Sequence, residues 1–141
     1  MSKRLKQKLL NQQTKVRSGA AMIELALFLP VFFVITMGTI ETCRMLYLRQ
    51  SLTIAAYECA RMGIITGMTN DALKTQCDNI LLGRKVRGAV MKVEPSDLPS
   101  LKFGDILTVT VEAPADDNAL LGTWFYRGKQ MVETVKIMAE H

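Results

Sequence analysis

The sequence has few of the residues on which catalysis and metal binding depend. Its single histidine, His141, occupies the last position, where a His-based triad or a metal site is not expected. No phosphate-binding glycine loop, pair of catalytic carboxylates or cluster of metal ligands is evident. The sequence Asp116-Asp117-Asn118 is typical of an ordinary acidic turn rather than a calcium site. We therefore expect no enzymatic activity, no cofactor and no bound metal.

Acidic residues are absent from the first 19 positions, which hold six of the 18 lysine and arginine residues. This leader carries a charge of +6, whereas the other 122 residues hold 12 basic and 13 acidic residues and carry −1. The basic character of the chain therefore belongs to the leader. No nucleic-acid partner is expected, because the rest of the chain shows neither a basic stripe nor a set of stacking aromatics.

Charge is also nearly absent from residues 20–40, AAMIELALFLPVFFVITMGTI, in which Glu24 is the one ionisable residue. A helix over these residues would be about 31 Å long, close to the bilayer core of about 30 Å. The apolar region of a secretory signal is shorter, at about 7–15 residues. The segment therefore predicts a transmembrane helix over residues 20–41, in which Pro30 is tolerated as a kink.

The basic residues around this span predict its orientation. Six precede it, and only Arg44 and Arg49 follow within the next ten residues. Because cytoplasmic flanks carry the excess of lysine and arginine, the leader is expected in the cytoplasm and residues 42–141 outside it.

Glu24 is the unusual residue of the span, because a carboxylate at the centre of a membrane helix costs about 2.5–3.5 kcal/mol. In one interpretation it is a boundary residue near the headgroups, stabilised by the helix N-terminus. In the other it is the partner of a new positive charge. If the chain is cut after Gly19, Ala20 acquires an α-amine one helical turn from Glu24 and within reach of a packed neighbour.

Two further helices are predicted from apolar positions that recur every three or four residues. The first covers residues 42–66, with Gly63 and Gly67 as stops, and its apolar face is Met45, Leu48, Leu52, Ala55, Cys59 and Met62. The second covers residues 70–82, begins at a cap formed by Thr69 or Asn70 and ends at Gly83; its apolar face is Leu73, Cys77, Ile80 and Leu81.

Strands are predicted over residues 89–94, 105–113 and 130–138. The alternation is clearest in the second, where Leu107, Val109, Val111 and Ala113 share one face. We interpret residues 119–128 as a loop that packs its aromatics, Trp124, Phe125 and Tyr126, onto the sheet; the alternative is a partner-binding patch. The fold class is α+β: a long N-terminal transmembrane helix that continues as an amphipathic helix, a second short helix and about three antiparallel strands.

The three cysteines, Cys43, Cys59 and Cys77, show no zinc-site or CxxC spacing. Outside the cytoplasm a disulfide can form. Cys59 and Cys77 are symmetric about Met68 in the predicted turn and lie on the apolar faces of two antiparallel helices. The pattern predicts a Cys59–Cys77 disulfide; the alternative is two buried thiols. Cys43 is expected to be a free thiol.

Residues 19–61 also resemble the TadE-like family of the tight-adherence (Flp) pilus system. The resemblance rests on residues at the family's spacing: Gly19-Ala20-Ala21, Glu24, Pro30, Gly38, Glu41, Arg44, Arg49-Gln50, Ala55-Ala56 and Ala60-Arg61. The major Flp pilin has an aromatic residue where this chain has Leu25, and it is much shorter. These differences favour a TadE-like component over the main pilus subunit.

The resemblance implies a minor pseudopilin with a pilin-like domain, located in the bacterial inner membrane. A prepilin peptidase would cut between Gly19 and Ala20, and Glu24 would guide assembly as the fifth residue of the mature chain. The implied partners are that peptidase, other pilin-like subunits, inner-membrane pilus assembly proteins and membrane lipid. The resemblance is compatible with three roles: the protein enters the filament, primes its assembly, or stays at its base in the inner membrane. The alternative function is an unprocessed single-pass membrane protein whose outer domain binds or regulates another envelope complex.

Overall fold

A computed structural model describes residues 3–65 and 68–139, with side chains from residue 19 onward. Two compact units divide the chain, Met1–Thr39 and Ile40–His141. Some predictions fall outside the described residues and side chains: the basic side chains of the leader, the helix end at residue 66, the stop at Gly67 and the terminal His141.

Helix α1 (Lys3–Gly63) contains both the apolar and the amphipathic segments, so residues 20–41 and 42–62 form one element. Pro30 lies inside it. In the first unit its large apolar side chains are exposed, from Met22 to Ile35. In the second unit the predicted apolar face is confirmed: five of its members are buried and Met62 is half-buried. The period of the sequence therefore predicts which side of α1 carries the domain core.

Helix α2 (Asn70–Gly83) follows a turn and begins at a side-chain cap. The hydroxyl of Thr69 accepts the N–H of Ala72 at 3.3 Å, which satisfies one of the free donors of the first turn. Of the two predicted caps, Thr69 is the one used. The predicted apolar face of α2 is confirmed, because Leu73, Cys77 and Leu81 are buried.

Three antiparallel strands form one sheet in the order β1-β2-β3: β1 (Val90–Glu94), β2 (Ile106–Pro114) and β3 (Gln130–Met138). Val109 of the central strand lies opposite Val93 on one side and Val135 on the other. A 3-10 turn (Leu98–Ser100) precedes β2, and a one-turn helix α3 (Ala115–Asn118) follows it. The predicted α+β class, with a long apolar N-terminal helix, further helices and a three-stranded antiparallel sheet, is confirmed.

The core of the second unit lies between one face of this sheet and the two helices. The predicted inward residues of β2 are all fully buried, and they cluster with the buried faces of α1 and α2. The end of α1 approaches β2 closely: a Cβ added at Gly63 would lie 2.6 Å from Cδ2 of Leu107. A side chain at this position would therefore require Leu107 to move.

Candidate functional site

The residues implied in cleavage and assembly lie together near the start of the apolar segment. Gly19, Ala20 and Glu24 are exposed, and the Gly19–Ala20 peptide bond is part of the helical backbone of α1. Glu24 is one turn from Ala20 along this helix. The helix therefore already holds Glu24 at the spacing that the predicted amine–carboxylate pair needs. Cleavage itself remains a prediction.

The helical segment Gly19–Gly63 is long and apolar enough to cross a membrane, and its most apolar stretch is not buried within the protein. Its threonines do not leave hydroxyl groups unpaired in that stretch. Thr36 donates to the carbonyl of Phe32, and Thr39 donates to that of Ile35, each at 2.8 Å. Such pairing within the helix suits a hydrocarbon environment. These features indicate a single-pass membrane protein.

Glu41, also in the family pattern, is almost completely buried at 9% exposure. One of its carboxylate oxygens accepts three consecutive backbone N–H groups, from Trp124 at 2.9 Å, Phe125 at 3.0 Å and Tyr126 at 3.1 Å. Hydrogen bonds to an ionised acceptor are stronger than neutral ones. Glu41 therefore fixes the backbone of a loop more than 80 residues away in sequence.

Arg44, three residues further along α1, contacts the same region. Its Nε donates to the carbonyl of Asn118 at 2.9 Å, and its guanidinium lies 5.2 Å from the ring centre of Tyr47. The side chain of Asn118, which is 3% exposed, accepts the N–H of Arg87 and donates to the carbonyls of Arg87 and Pro114, at 2.8–2.9 Å. Arg44 thereby joins α1 to Asn118, whose side chain links the segment at Arg87 to the end of β2.

Arg49 completes a series of family-pattern residues that hold the second unit together. Its Nε lies 2.6 Å from Oε1 of Glu133 on β3. Glu133 is paired with the buried Val111 in the sheet register and is half-buried, so its charge faces towards α1 rather than open solvent. A guanidinium is a suitable partner for such a carboxylate.

Asp116 holds the loop over residues 119–128 at two further points, Thr123 and Gly128. Its carboxylate accepts the hydroxyl of Thr123 and, at 3.0 Å, the N–H of Gly128. The Thr123 hydroxyl contributes most, followed by the Gly128 N–H and then the charge of Arg127, to hold the pKa of Asp116 below its ordinary value of 3.8. Gly128 has a φ of +69°, which a glycine adopts without strain.

The structure corrects our interpretation of this loop. Trp124 is 73% exposed and Phe125 is 57% exposed, so the prediction that they pack onto the sheet is wrong. Only Tyr126 of the three aromatics packs against the core. Aromatic content favours burial in general. Here, however, Glu41 and Asp116 fix the backbone so that the rings of Trp124 and Phe125 face outwards.

Cys59 and Cys77 form a disulfide in the structure, with Cα atoms 5.6 Å apart, and both side chains are fully buried. The bond links the adjacent faces of α1 and α2. Cys43 is an exposed free cysteine.

The predicted acidic turn uses its polar atoms within the chain. Asp116 binds the loop that follows it, and Asn118 binds backbone groups of two neighbouring segments. Over residues 19–65 and 68–139, whose side chains the structure describes, no group of His, Cys, Asp and Glu is placed to hold a metal ion.

The roles of Glu41, Arg44 and Arg49 were not predicted from the sequence. A signal for the first was present, because Glu41 lies four residues before Met45 on the face that continues through Leu48. An acidic residue on a core-facing stripe needs a partner. The sequence gives no indication that this partner is the backbone of a distant loop.

Comparison with known proteins gives a match over the same stretch that carries the motif. Residues 19–61 match the family described as TadE-like protein. No curated protein and no solved structure gives a significant match. The family is associated with the Tad pilus and is structural rather than enzymatic in character. The resemblance seen in the sequence is therefore confirmed: the TadE-like family match covers residues 19–61, the stretch in which the motif residues lie.

Proposed function

We propose that this protein is a minor pseudopilin that acts in the assembly of a Tad (Flp) type surface pilus. In this proposal a prepilin peptidase cuts the chain between Gly19 and Ala20. The observation that carries it is the start of the family match. The TadE-like segment begins at Gly19, where the acid-free basic leader ends. A match with this boundary fits a family whose mature chain begins at the next residue.

The chemistry created by the cut supports a role in helix packing. Hydrolysis of the Gly19–Ala20 bond leaves an α-amine on Ala20, one turn from the carboxylate of Glu24. Each charge is unfavourable in lipid by itself, and the two neutralise each other when paired. Pairing between neighbouring chains would favour side-by-side packing of apolar helices. The exposed apolar side chains of residues 22–35 provide the surface for this packing.

The family-pattern residues differ in what they contact within the chain. Glu41, Arg44 and Arg49 form hydrogen bonds or ion pairs that hold the second unit together. Glu24 is exposed on the apolar helix. This difference supports a model in which the C-terminal part of the pattern maintains the domain and the N-terminal part binds other subunits.

The proposed location is the bacterial inner membrane, with the leader in the cytoplasm and the second unit outside. The excess of basic residues before the span supports this orientation. The proposed partners are the prepilin peptidase, other pilin-like subunits and inner-membrane pilus assembly proteins. The protein is the substrate of the peptidase, and it acts on the other partners by packing and not by catalysis.

Cleavage is tested by producing the full chain together with either an active or a catalytically inactive prepilin peptidase of a Tad system. We expect intact mass to show loss of residues 1–19 only with the active enzyme. A Gly19→Ile variant is expected to remain uncut, because a bulky side chain then precedes the scissile bond. A full-length chain in cells where the major pilin is cut would contradict the proposal. That outcome would favour the alternative, an unprocessed single-pass protein that binds or regulates another envelope complex.

Assembly is tested separately with Glu24→Gln, which removes the charge, and Glu24→Asp, which keeps it. We expect both variants to be cut, and only Glu24→Gln to lose pili and crosslinks to other pilin-like subunits. Glu58→Gln, in the second unit, serves as the control for loss of a carboxylate on the same helix. Normal pili in the Glu24→Gln strain would exclude the assembly role of this carboxylate while leaving the cleavage result intact.

A further inference from the structure

The loop over residues 119–128, which we call the aromatic loop, exposes four large apolar side chains within six positions. The exposed fractions are 70% for Leu120, 60% for Leu121, 73% for Trp124 and 57% for Phe125. Single exposed apolar residues are common on protein surfaces, whereas a group of them marks a surface that binds something. The exposed side chains of the aromatic loop are therefore a candidate binding surface.

The backbone of the aromatic loop is held in place without that partner. Glu41 accepts the N–H groups of residues 124–126, and Asp116 accepts the Thr123 hydroxyl and the Gly128 N–H. Two carboxylates thus fix the middle and the end of the loop. The exposed rings of Trp124 and Phe125 project from a preformed support, so little ordering is needed when they bind.

The covalent chain places this loop next to the membrane. Glu41 directly follows the apolar residues 20–40, and it is the residue to which the aromatic loop is hydrogen-bonded. A bilayer crossed by residues 20–40 therefore ends near Glu41. The loop backbone is hydrogen-bonded to the side chain of Glu41, so the loop lies at this end of the second unit.

The chemistry of the loop fits the boundary between headgroups and acyl chains. Tryptophan is enriched there, because its ring is apolar and its N–H remains hydrated. Two exposed cations, Arg127 and Lys129, follow the rings, and Nζ of Lys129 lies 5.0 Å from the ring centre of Tyr126. Cations beside an apolar group are attracted to anionic headgroups.

We propose that the aromatic loop docks into the interfacial layer of the bilayer that residues 20–40 cross, as a second membrane contact of the outer unit. Leu120, Leu121, Trp124 and Phe125 enter the acyl boundary, and Arg127 and Lys129 face the phosphates. The inference rests on the membrane span and is independent of cleavage and of pilus assembly.

Trp124 is the one tryptophan of the sequence and therefore reports its own surroundings. The full chain is reconstituted in phosphatidylcholine vesicles with or without bromine on the acyl chains, and acrylamide is added as the aqueous quencher. We expect brominated lipid to lower Trp124 emission roughly two-fold, because an indole at headgroup depth contacts the bromines. Acrylamide is expected to have little effect.

The matched control moves the tryptophan to the far end of the same unit, as Phe103→Trp combined with Trp124→Phe. Phe103 is 76% exposed and lies four residues before Leu107, the β2 residue that packs against Gly63. Gly63 is about 33 Å along α1 from Glu41. We expect this tryptophan to be quenched by acrylamide and to be insensitive to brominated lipid.

Two results would overturn the proposal. If Trp124 behaves like the tryptophan at position 103, the loop lies in water. If Trp124 is protected from both quenchers, a protein contact covers it. Carbonate extraction of the same vesicles tests the membrane span separately from the loop contact. Release of the chain would exclude the span and the loop contact together, whereas retention with Trp124 in water would exclude only the loop contact.

Discussion

Oε1 of Glu41 lies 2.9 Å from the backbone nitrogen of Trp124. Through this contact the first residues after the apolar segment determine the conformation of a loop near the other end of the chain. The same oxygen accepts two further N–H groups, so a single side chain is the acceptor for three consecutive backbone donors. The residues that match the TadE-like pattern thus include one that stabilises the second unit of this chain.

The first prediction concerns the stability that Glu41 confers. Replacement by alanine leaves three N–H groups without their acceptor, and we expect the free energy of unfolding to fall by about 2–4 kcal/mol. Glu41→Gln keeps an oxygen but loses the charge, so its effect should be smaller, at about 1 kcal/mol. Denaturant unfolding of the full chain in detergent, followed by Trp124 fluorescence, measures both. If Glu41→Ala is as stable as Glu58→Gln, the proposed structural role is wrong.

The second prediction concerns the buried Asn118. Alanine at this position removes one acceptor and two donated hydrogen bonds, and we expect a loss of about 2–4 kcal/mol in the free energy of unfolding. Asn118→Asp keeps the acceptor for the Arg87 N–H but loses the donors, so it should also destabilise the fold. Asn79→Ala, at an exposed position of α2, is the control and should change stability by less than about 0.5 kcal/mol. Equal stability of the Asn118 and Asn79 variants would refute this role.

The third prediction concerns acid. Hydrogen bonds from Thr123 and Gly128 lower the pKa of Asp116 from 3.8. A carboxyl whose pKa is lower in the folded state stabilises that state fully above its unfolded value, and this contribution is lost as the pH falls through the lowered pKa. We therefore expect Trp124 emission to change in the wild-type chain as the pH falls below 3.8.

The Asp116→Asn variant should lack this acid transition, since it cannot titrate, and should already resemble the acid form of the loop. Asp117→Asn is the control: it removes the neighbouring exposed carboxylate and should leave the transition in place. If the transition persists in Asp116→Asn and disappears in Asp117→Asn, the titrating carboxylate is Asp117 and the prediction is wrong.

The fourth prediction concerns the cysteines. A bond between Cys59 and Cys77, which are 18 residues apart, should stabilise the fold by about 3 kcal/mol through the loop that it closes. We expect non-reducing mass analysis to find one alkylatable thiol, and the Cys59→Ser/Cys77→Ser variant to unfold at lower denaturant concentration. Cys43→Ser should leave stability unchanged. Alkylation of all three thiols in protein isolated without reductant would show that the bond does not form in the cell.

Local patterns predicted the regular elements of this protein but not its long loop. The faces of α1, α2 and β2 follow from apolar periodicity, because one side of each element is buried in a common core. The conformation of the aromatic loop depends on Glu41, more than 80 residues earlier. No window of sequence around Trp124 contains that information. The aromatic residues alone favoured packing onto the sheet, and for two of the three this was wrong.

In the candidate site, too, some features could be predicted from the sequence and others depend on residues distant in sequence. The roles of Gly19, Ala20 and Glu24 were implied by the family resemblance, and the charge of Glu24 within the apolar span was the one independent signal. The structure places these residues on an exposed helical surface. The contacts of Arg44 and Arg49 could not be predicted, because their partners, Asn118 and Glu133, are distant in sequence. Family patterns record such residues without indicating whether they bind another protein or the same chain.

The central claim is that the mature protein begins at Ala20 and carries Glu24 one turn into an apolar helix. The most direct test is the intact mass and N-terminal sequence of the protein isolated from its native membrane. We predict a chain that lacks residues 1–19 and has its first amine on Ala20. A protein that begins at Met1 or Ser2 would contradict the claim.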